Sequence, residues 1–183
     1  MSMILTSLRL AVITVLVCVP GYTALILGFA QLATPHTANG SLLTSADGEA
    51  VVGSHLLAQA FTQPRYFWPR PSAVGYHAAG AGGSNKSPTS TDVTDRAQQL
   101  VAAYGATSDQ PLPADLAAAS GSGLDPHVTE RAALYQAARV AAARGRPRAE
   151  IERIVRGLAF APGGFFAGER IVNVLELNRA LER

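Results

Sequence analysis

The sequence has few of the residues on which metal proteins, disulfide-stabilised proteins and nucleic-acid-binding proteins depend. Its single cysteine, Cys18, lies in an apolar stretch, so the remainder of the chain has no disulfides. Its histidines, at positions 36, 55, 77 and 127, lack metal-ligand spacing. Acidic and basic residues nearly cancel, at a formal net charge of +2, and the basic residues are scattered. We therefore expect neither a metal site nor a nucleic-acid partner.

Charge is absent from one long stretch, residues 10–32, which contains no Asp, Glu, Lys, Arg or His in 23 residues. As a helix it would span about 34 Å, enough for the roughly 30 Å hydrocarbon core of a membrane. Pro20-Gly21 would break a soluble helix, but in lipid the backbone groups have no alternative partner, so we expect a kinked helix to persist. Tyr22 is too central for an interfacial anchor and is predicted to face a partner helix.

A cleaved signal peptide is the alternative interpretation of this stretch, with small residues at Gly28 and Ala30 near the cleavage position. Its apolar length exceeds the roughly 7–15 residues of a signal peptide's hydrophobic region, which favours a retained anchor. Arg9 precedes the stretch and no basic residue follows it until Arg65, so the N-terminus is predicted to be cytoplasmic. The predicted division is residues 1–9 cytoplasmic, 10–32 transmembrane, 33–50 linker and 51–183 a soluble extracytoplasmic domain.

The rest of the chain alternates helical patterns with short strand-like segments, at 50–53 and at 171–172. Helices are predicted at about 92–104 and 113–119. The longest soluble helix is predicted from Asp125-Pro126 to Arg144, before Gly145, and another is predicted to start at Pro147, with apolar residues at 151, 154, 155 and 158. A final helix is predicted after Asn173, with Glu176 at capping-box spacing. The predicted fold class is α+β: one N-terminal transmembrane helix followed by a single mostly helical soluble domain with a few short strands.

Two segments come close to catalytic motifs without the required context. Residues 80–87 approach a phosphate-binding loop, but Asn85 replaces a glycine and the segment runs into Ser87-Pro88 instead of a helix. Residues 120–127 gather serines, an aspartate and a histidine at what is predicted to be one helix start, although a catalytic triad converges from separate elements. We predict no catalytic or cofactor-binding residue. A membrane-tethered extracytoplasmic hydrolase using Ser122 and His127 is the alternative.

The run Arg65-Tyr66-Phe67-Trp68-Pro69-Arg70 is the densest aromatic and cationic stretch of the chain. Prolines at 64, 69 and 71 prevent a helix, so an extended segment is expected. Tyr, Trp and Arg are enriched at interaction hot spots, which makes Arg65, Tyr66, Phe67, Trp68 and Arg70 candidate partner contacts. Packing onto the core of the domain is the alternative.

Several sequence blocks occur in one order over nearly the whole chain and together resemble the C subunit family of Kdp-type, ATP-driven potassium transporters. The blocks are ANGSL at 38–42, positions within 52–73, GGSN at 82–85, LPADL at 112–116, ASGSGLDPH at 119–127, RVA with ARG at 139–145 and VNVLELN at 172–178. Lys86 departs from the family, in which an apolar residue usually follows Gly-Gly-Ser-Asn. Ser84 and Asn85 of that block join Tyr22 and the aromatic run as candidate partner contacts.

The resemblance implies a non-catalytic subunit of a bacterial inner-membrane complex that imports potassium with ATP. Its companions would be a channel-like potassium-binding subunit, a P-type ATPase catalytic subunit and a small single-span subunit, surrounded by membrane lipid. The complex would handle ATP and potassium, and this chain would carry no cofactor of its own. The role implied is support of assembly, with either a raised ATP affinity of the hydrolysing subunit or a cover over the outer ion entrance. An outward-facing domain cannot touch cytoplasmic ATP, which favours a structural role.

Overall fold

The computed structural model describes residues 2–45, 47–164 and 168–182. The chain divides into two compact units, Met1–Leu42 and Leu43–Arg183. The first unit is dominated by one long apolar helix. The described residues of the second combine five α-helices with short strands. The described residues thus form one N-terminal helix followed by a mostly helical domain with a few short strands, as the sequence predicted.

The N-terminal helix runs from Met3 to Ala33, and its most apolar 18-residue window has a mean hydropathy of 2.4. It consists of α1 (Met3–Leu16), a π-helical segment (Val17–Gly21) and α2 (Tyr22–Ala33). It is long and apolar enough to cross a membrane, and none of that window is buried within the chain. A four-residue helix, α3 (Pro35–Ala38), follows it.

The π-helical segment explains how the helix continues through Pro20-Gly21. Pro20 cannot donate a backbone hydrogen bond, and its ring crowds the preceding turn. The helix widens there by one residue, so that the N–H of Tyr22 reaches the carbonyl oxygen of Val17. The predicted persistence of the helix is confirmed, and the kink stays a prediction.

After α3, the described residues form two small two-stranded sheets. Strand β1 (Leu42–Thr44) pairs with β2 (Val51–Ser54), and β3 (His127–Thr129) pairs antiparallel with β4 (Ile171–Asn173). The helices are α4 (Thr91–Tyr104), α5 (Ala114–Ala117), α6 (Glu130–Arg144), α7 (Arg148–Leu158) and α8 (Val174–Ala180). The strands predicted at 50–53 and 171–172 are confirmed, whereas β1 lies in the segment interpreted as a linker.

The core forms where α6, α7, α8 and the β3–β4 pair meet. Ile151 and Val155 of α7 are fully buried, and Ile154 and Leu158 pack at the edge of the same cluster, as their helical spacing predicted. Helix α6 contributes small side chains, including Ala133 and Ala137, which permit close approach of its neighbours.

The predicted start of the longest soluble helix at Asp125-Pro126 is wrong. Residues 127–129 form β3 instead, because β4 supplies them with an antiparallel partner 44 positions away, as in the pairing of Val128 with Val172. Helix α6 therefore begins at Glu130, and the Thr129 hydroxyl accepts the N–H of Ala132 as its cap. Its end at Gly145 is as predicted, since this glycine is left-handed at φ +63°.

Candidate partner-contact site

Two buried side-chain amides hold the aromatic run in its extended conformation. Phe67 donates its N–H to Asn178 Oδ1 at 2.8 Å, and Asn178 Nδ2 donates to the carbonyl of Phe67 at 3.0 Å. Gln136 binds Trp68 in the same way, at 2.8 Å and 3.1 Å. Each amide thus replaces the strand that would otherwise satisfy an extended backbone. We call these contacts the amide clamp.

Arg139 reinforces the amide clamp from α6. Its Nη1 donates to the carbonyls of Pro64 and Tyr66 at 2.7 and 3.0 Å, and its Nη2 donates to Gln136 Oε1 at 2.7 Å. The guanidinium also lies 3.7 Å from the ring centroid of Trp68. Burial lowers the pKa of Arg139 to about 10, so the side chain stays charged at neutral pH.

Arg144 ties the start of the aromatic run to the C-terminal residues. Its Nε donates to the carbonyl of Arg65 at 2.8 Å, and its Nη2 donates to Glu182 at 2.7 Å. Arg65 reaches the same carboxylate at 3.2 Å. The hydrogen bond from Arg144 lowers the pKa of Glu182 below its ordinary value. This carboxylate therefore stays ionised at neutral pH and joins two elements that are distant in sequence.

At the other end of the run, Arg70 binds Asp125 at 3.1 Å between Nη1 and Oδ2. The N–H of His127 donates to Asp125 Oδ1 at 3.0 Å. Burial alone would raise the pKa of Asp125, but the hydrogen bonds from His127 and Arg70 outweigh it and hold that pKa below its ordinary value. Asp125 therefore joins the aromatic run to β3 instead of capping a helix.

The five candidate contacts of the run differ in what they offer a partner. Phe67 is fully buried in the core, so its side chain is not on the surface. Trp68 packs edge-to-face with Tyr104, at a centroid distance of 5.2 Å. Arg65 is exposed, while Tyr66 and Arg70 are half-buried. Packing onto the core, the alternative interpretation, thus describes Phe67. Contact of the others with a partner stays a prediction.

A cavity of about 470 Å³ lies beside Tyr66. Val52, Ala60, Phe61 and Leu175 contribute apolar lining, and Arg179 and Glu182 contribute charge. Tyr66 is partly exposed and its ring also packs against Phe61 at 5.4 Å, so this part of the aromatic run borders a recess at the surface.

Ser84 and Asn85 are presented on a backbone fixed by interlocking glycines. The N–H of Gly82 donates to the carbonyl of Ser122 at 2.8 Å. A β-carbon at Gly83 would lie only 2.8 Å from the carbonyl oxygen of Gly121. Gly-Gly-Ser-Asn and Gly-Ser-Gly therefore pack backbone against backbone. Asn85 is exposed beyond this contact, in a left-handed conformation at φ +50°.

Tyr22 is 62% exposed, on the N-terminal helix. Among residues 2–45, 47–164 and 168–182, no neighbour buries this side chain. The side chain is therefore accessible to another helix, and its contact with a partner helix stays a prediction.

The residues of the two near-motifs have local partners. Lys86 Nζ binds Asp92 at 2.5 Å, and α4 begins only at Thr91, beyond the near-miss phosphate loop. The Ser122 hydroxyl accepts the N–H of Leu124 at 3.1 Å, which closes a local turn. Within residues 2–45, 47–164 and 168–182, no hydrogen bond joins Ser122 to His127, and no group of three or more potential metal ligands occurs.

Sequence reasoning missed the amide clamp and the contacts of Arg139 and Arg144 with the aromatic run. A signal for the clamp existed, because Gln136 and Asn178 interrupt the apolar stripes of their helices. Gln136 lies one turn beyond buried Ala132, and Asn178 one turn beyond buried Val174. A polar amide at such a position needs buried hydrogen-bond partners. The sequence did not indicate which backbone would supply them.

The sequence is similar to those of known proteins. A family model described as "KdpC: K+-transporting ATPase, c chain" matches residues 4–183. The chain is 61% identical over 183 residues to the Potassium-transporting ATPase KdpC subunit of Parvibaculum lavamentivorans, covering 100% of this chain and 97% of that protein. Proteins of the same name from Geobacter sulfurreducens and Methylococcus capsulatus are 42% and 45% identical, with 96% and 88% of this chain and 94% and 87% of theirs aligned.

Proposed function

The chain belongs to the KdpC family of K+-transporting ATPase c chains, and from this premise we propose that it is the non-catalytic subunit that supports assembly of the potassium-importing complex. The observation that carries the proposal is similarity over the whole chain, including the apolar helix, since the family match begins at residue 4. The match also favours a retained single-pass anchor over a cleaved signal peptide.

The companions would be a channel-like potassium-binding subunit, a P-type ATPase subunit and a small single-span subunit. ATP and potassium would be bound by these partners. In support, the Ser122 hydroxyl accepts the N–H of Leu124 in a local turn and the N–H of His127 donates to Asp125, so both residues of the alternative hydrolase take part in local structure. The test is deletion of this chain from a strain that depends on the transporter. We expect the remaining subunits not to co-purify as a complex, and growth in low potassium to be lost. An intact complex without the chain would contradict the proposal.

We propose that the anchor lies in the bacterial inner membrane and that the domain after it lies outside the cytoplasm. Arg9 before the uncharged stretch 10–32 and the absence of basic residues after that stretch until Arg65 support this orientation. In this orientation the domain supports the outer side of the complex, including a cover over the ion entrance. A reporter fused after Arg183 should be active only outside the cytoplasm. Activity inside would reverse the topology and favour the role of raising ATP affinity.

The proposed partner contacts are Tyr22 in the membrane and, on the domain, Arg65, Tyr66, Trp68, Arg70, Ser84 and Asn85. For the membrane contact, Tyr22→Ala should reduce the other subunits that co-purify with the tagged chain. Leu27→Ala is the matched control, because Leu27 is also exposed on α2 but lies about 140° around the helix. Equal amounts of co-purified subunits with both variants would show that Tyr22 is not part of the interface.

The hydrolase alternative is tested by Ser122→Ala combined with His127→Ala in the full complex. We expect assembly and low-potassium growth to persist. Loss of an assayable hydrolase activity from an otherwise intact complex would instead support the alternative. We also expect ATP to leave the melting temperature of the isolated full chain unchanged, and an ATP-dependent increase would indicate direct nucleotide binding.

A further inference from the structure

A second surface depression, distant in sequence from the aromatic run, lies between α6, α7 and the loop before α5. It has a volume of about 560 Å³, and we call it the arginine groove. Its walls include Pro111, Leu112, Leu134, Tyr135, Arg131 and Arg148. A further depression of about 390 Å³ shares Arg131 and Leu134 with it, so the groove continues across α6.

The groove has a fixed apolar wall. Leu112 and Leu134 pack against the core and are only partly buried. The Tyr135 hydroxyl donates to the carbonyl of Gln110 at 3.4 Å, and its ring meets Tyr104 edge-to-face at 6.2 Å. These contacts hold the aromatic wall in place. The flanking loop contains Pro111 and Pro113, neither of which has a backbone N–H to donate.

The lining of the two depressions has a small excess of positive charge, because Arg131, Arg148 and Arg170 face only Glu130 and Glu169, and Arg170 binds Glu130 at 3.2 Å. Arg131 is 67% exposed, and its carboxylate partner, Glu169, is 3.9 Å away. Arg148 is 58% exposed and binds Glu152 at 2.7 Å, but Glu152 is shared with Arg156 at 3.0 Å. One carboxylate therefore serves two guanidinium groups. The available positive charge stands directly beside the apolar wall, a combination suited to a ligand that carries both carboxylates and apolar side chains.

We propose that the arginine groove docks an acidic extended segment of another subunit of the same complex, with carboxylates at Arg131 and Arg148 and an apolar side chain against Leu134. This inference rests on the proposed function. It adds an interface separate from the aromatic run.

The test uses the tagged full chain co-expressed with the other subunits, and compares two charge-matched variants. Arg131→Gln with Arg148→Gln removes both groove arginines. Lys86→Gln with Arg153→Gln removes two exposed cations outside the groove and leaves the pairing of Glu152 with Arg148 and Arg156 unchanged. We expect only the groove variant to lower recovery of the other subunits, with melting temperatures of both chains close to wild type.

A direct probe is hexaglutamate added to the detergent-solubilised full chain. Two exposed charge pairs contribute about 1–2 kcal/mol together, so affinity should fall about five- to thirtyfold in the groove variant. The affinity should be unchanged in the control variant and should weaken with salt. Equal effects of both variants on hexaglutamate, or binding of phosphatidylglycerol vesicles in place of the peptide, would overturn the proposal. If deletion of the chain abolishes the complex but the groove variant assembles normally, the groove proposal fails and the proposed function stands.

Discussion

The amide clamp makes a quantitative prediction for Asn178→Ala. Asn178 is 2% exposed, and Phe67, whose backbone it binds through two hydrogen bonds, is fully buried. The substitution leaves one N–H and one C=O of Phe67 without partners, and each costs about 1–3 kcal/mol when buried. Some water enters as the site relaxes, so we expect the free energy of unfolding to fall by about 3 kcal/mol, a large part of a typical domain's 5–15 kcal/mol.

The assay is urea unfolding of the full chain in detergent, followed by the fluorescence of Trp68. This is the only tryptophan of the chain, and it lies next to Phe67 in the clamped segment. Gln99→Ala is the matched control, because Gln99 is exposed on α4 and the change should stay within about 0.5 kcal/mol. A loss below about 1 kcal/mol for Asn178→Ala, or an equal loss for the control, would refute the reasoning.

Asn178→Asp sharpens the same prediction because it keeps the size of the side chain. An ionised carboxylate accepts the N–H of Phe67 but cannot donate to its carbonyl, whereas a protonated carboxyl donates. Folding therefore raises the pKa of the introduced carboxyl above its unfolded value of about 3.9. The loss of stability relative to wild type should be smallest near pH 4 and grow toward pH 7. A loss independent of pH would show that the donated hydrogen bond to the carbonyl contributes nothing.

Two further predictions concern acid stability and glycine packing. The lowered pKa of Asp125 means that its contribution to stability is present above its unfolded pKa of about 3.9 and is lost as pH falls through the folded pKa. Asp125→Asn should therefore lower the free energy of unfolding at pH 7. In urea unfolding, the difference in this free energy between the variant and wild type should shrink below pH 4. A difference that does not change with pH would contradict the prediction. Gly83→Ala should cost about 1–3 kcal/mol, because the added carbon meets the backbone of Gly121 at 2.8 Å. Gly80→Ala, with its nearest atom 3.7 Å away, should be close to neutral in the same measurement, and equal effects would argue against the interlock.

Sequence reasoning succeeded where the cause of the structure is local. Gly105 and Gly145 end α4 and α6 in left-handed conformations, each at φ +63°, which glycine adopts without steric cost. The Asn173 side chain accepts the N–H of Glu176 at 3.1 Å, as the capping spacing predicted. The second half of that motif did not form, because the Glu176 carboxylate binds His55 at 3.0 Å instead.

Sequence reasoning failed at the start of α6 and at the amide clamp, where the structure depends on residues that are distant in sequence. Asp125 has the residue type and spacing of a helix cap, yet its carboxylate binds Arg70, 55 positions earlier. Pro64 to Arg70 could be predicted as extended from its prolines, but the groups that satisfy its backbone could not be identified.

By itself, the sequence determined that the chain has one membrane-length helix, since 23 uncharged residues decide this through composition alone. It also determined the family resemblance and the helix ends that depend on glycine. Only the tertiary structure decided which parts of the aromatic run remain at the surface, because Asn178 and Gln136 reach Phe67 and Trp68 across 111 and 68 positions. Local patterns carry no information about such pairings, which form when separate helices pack around one core.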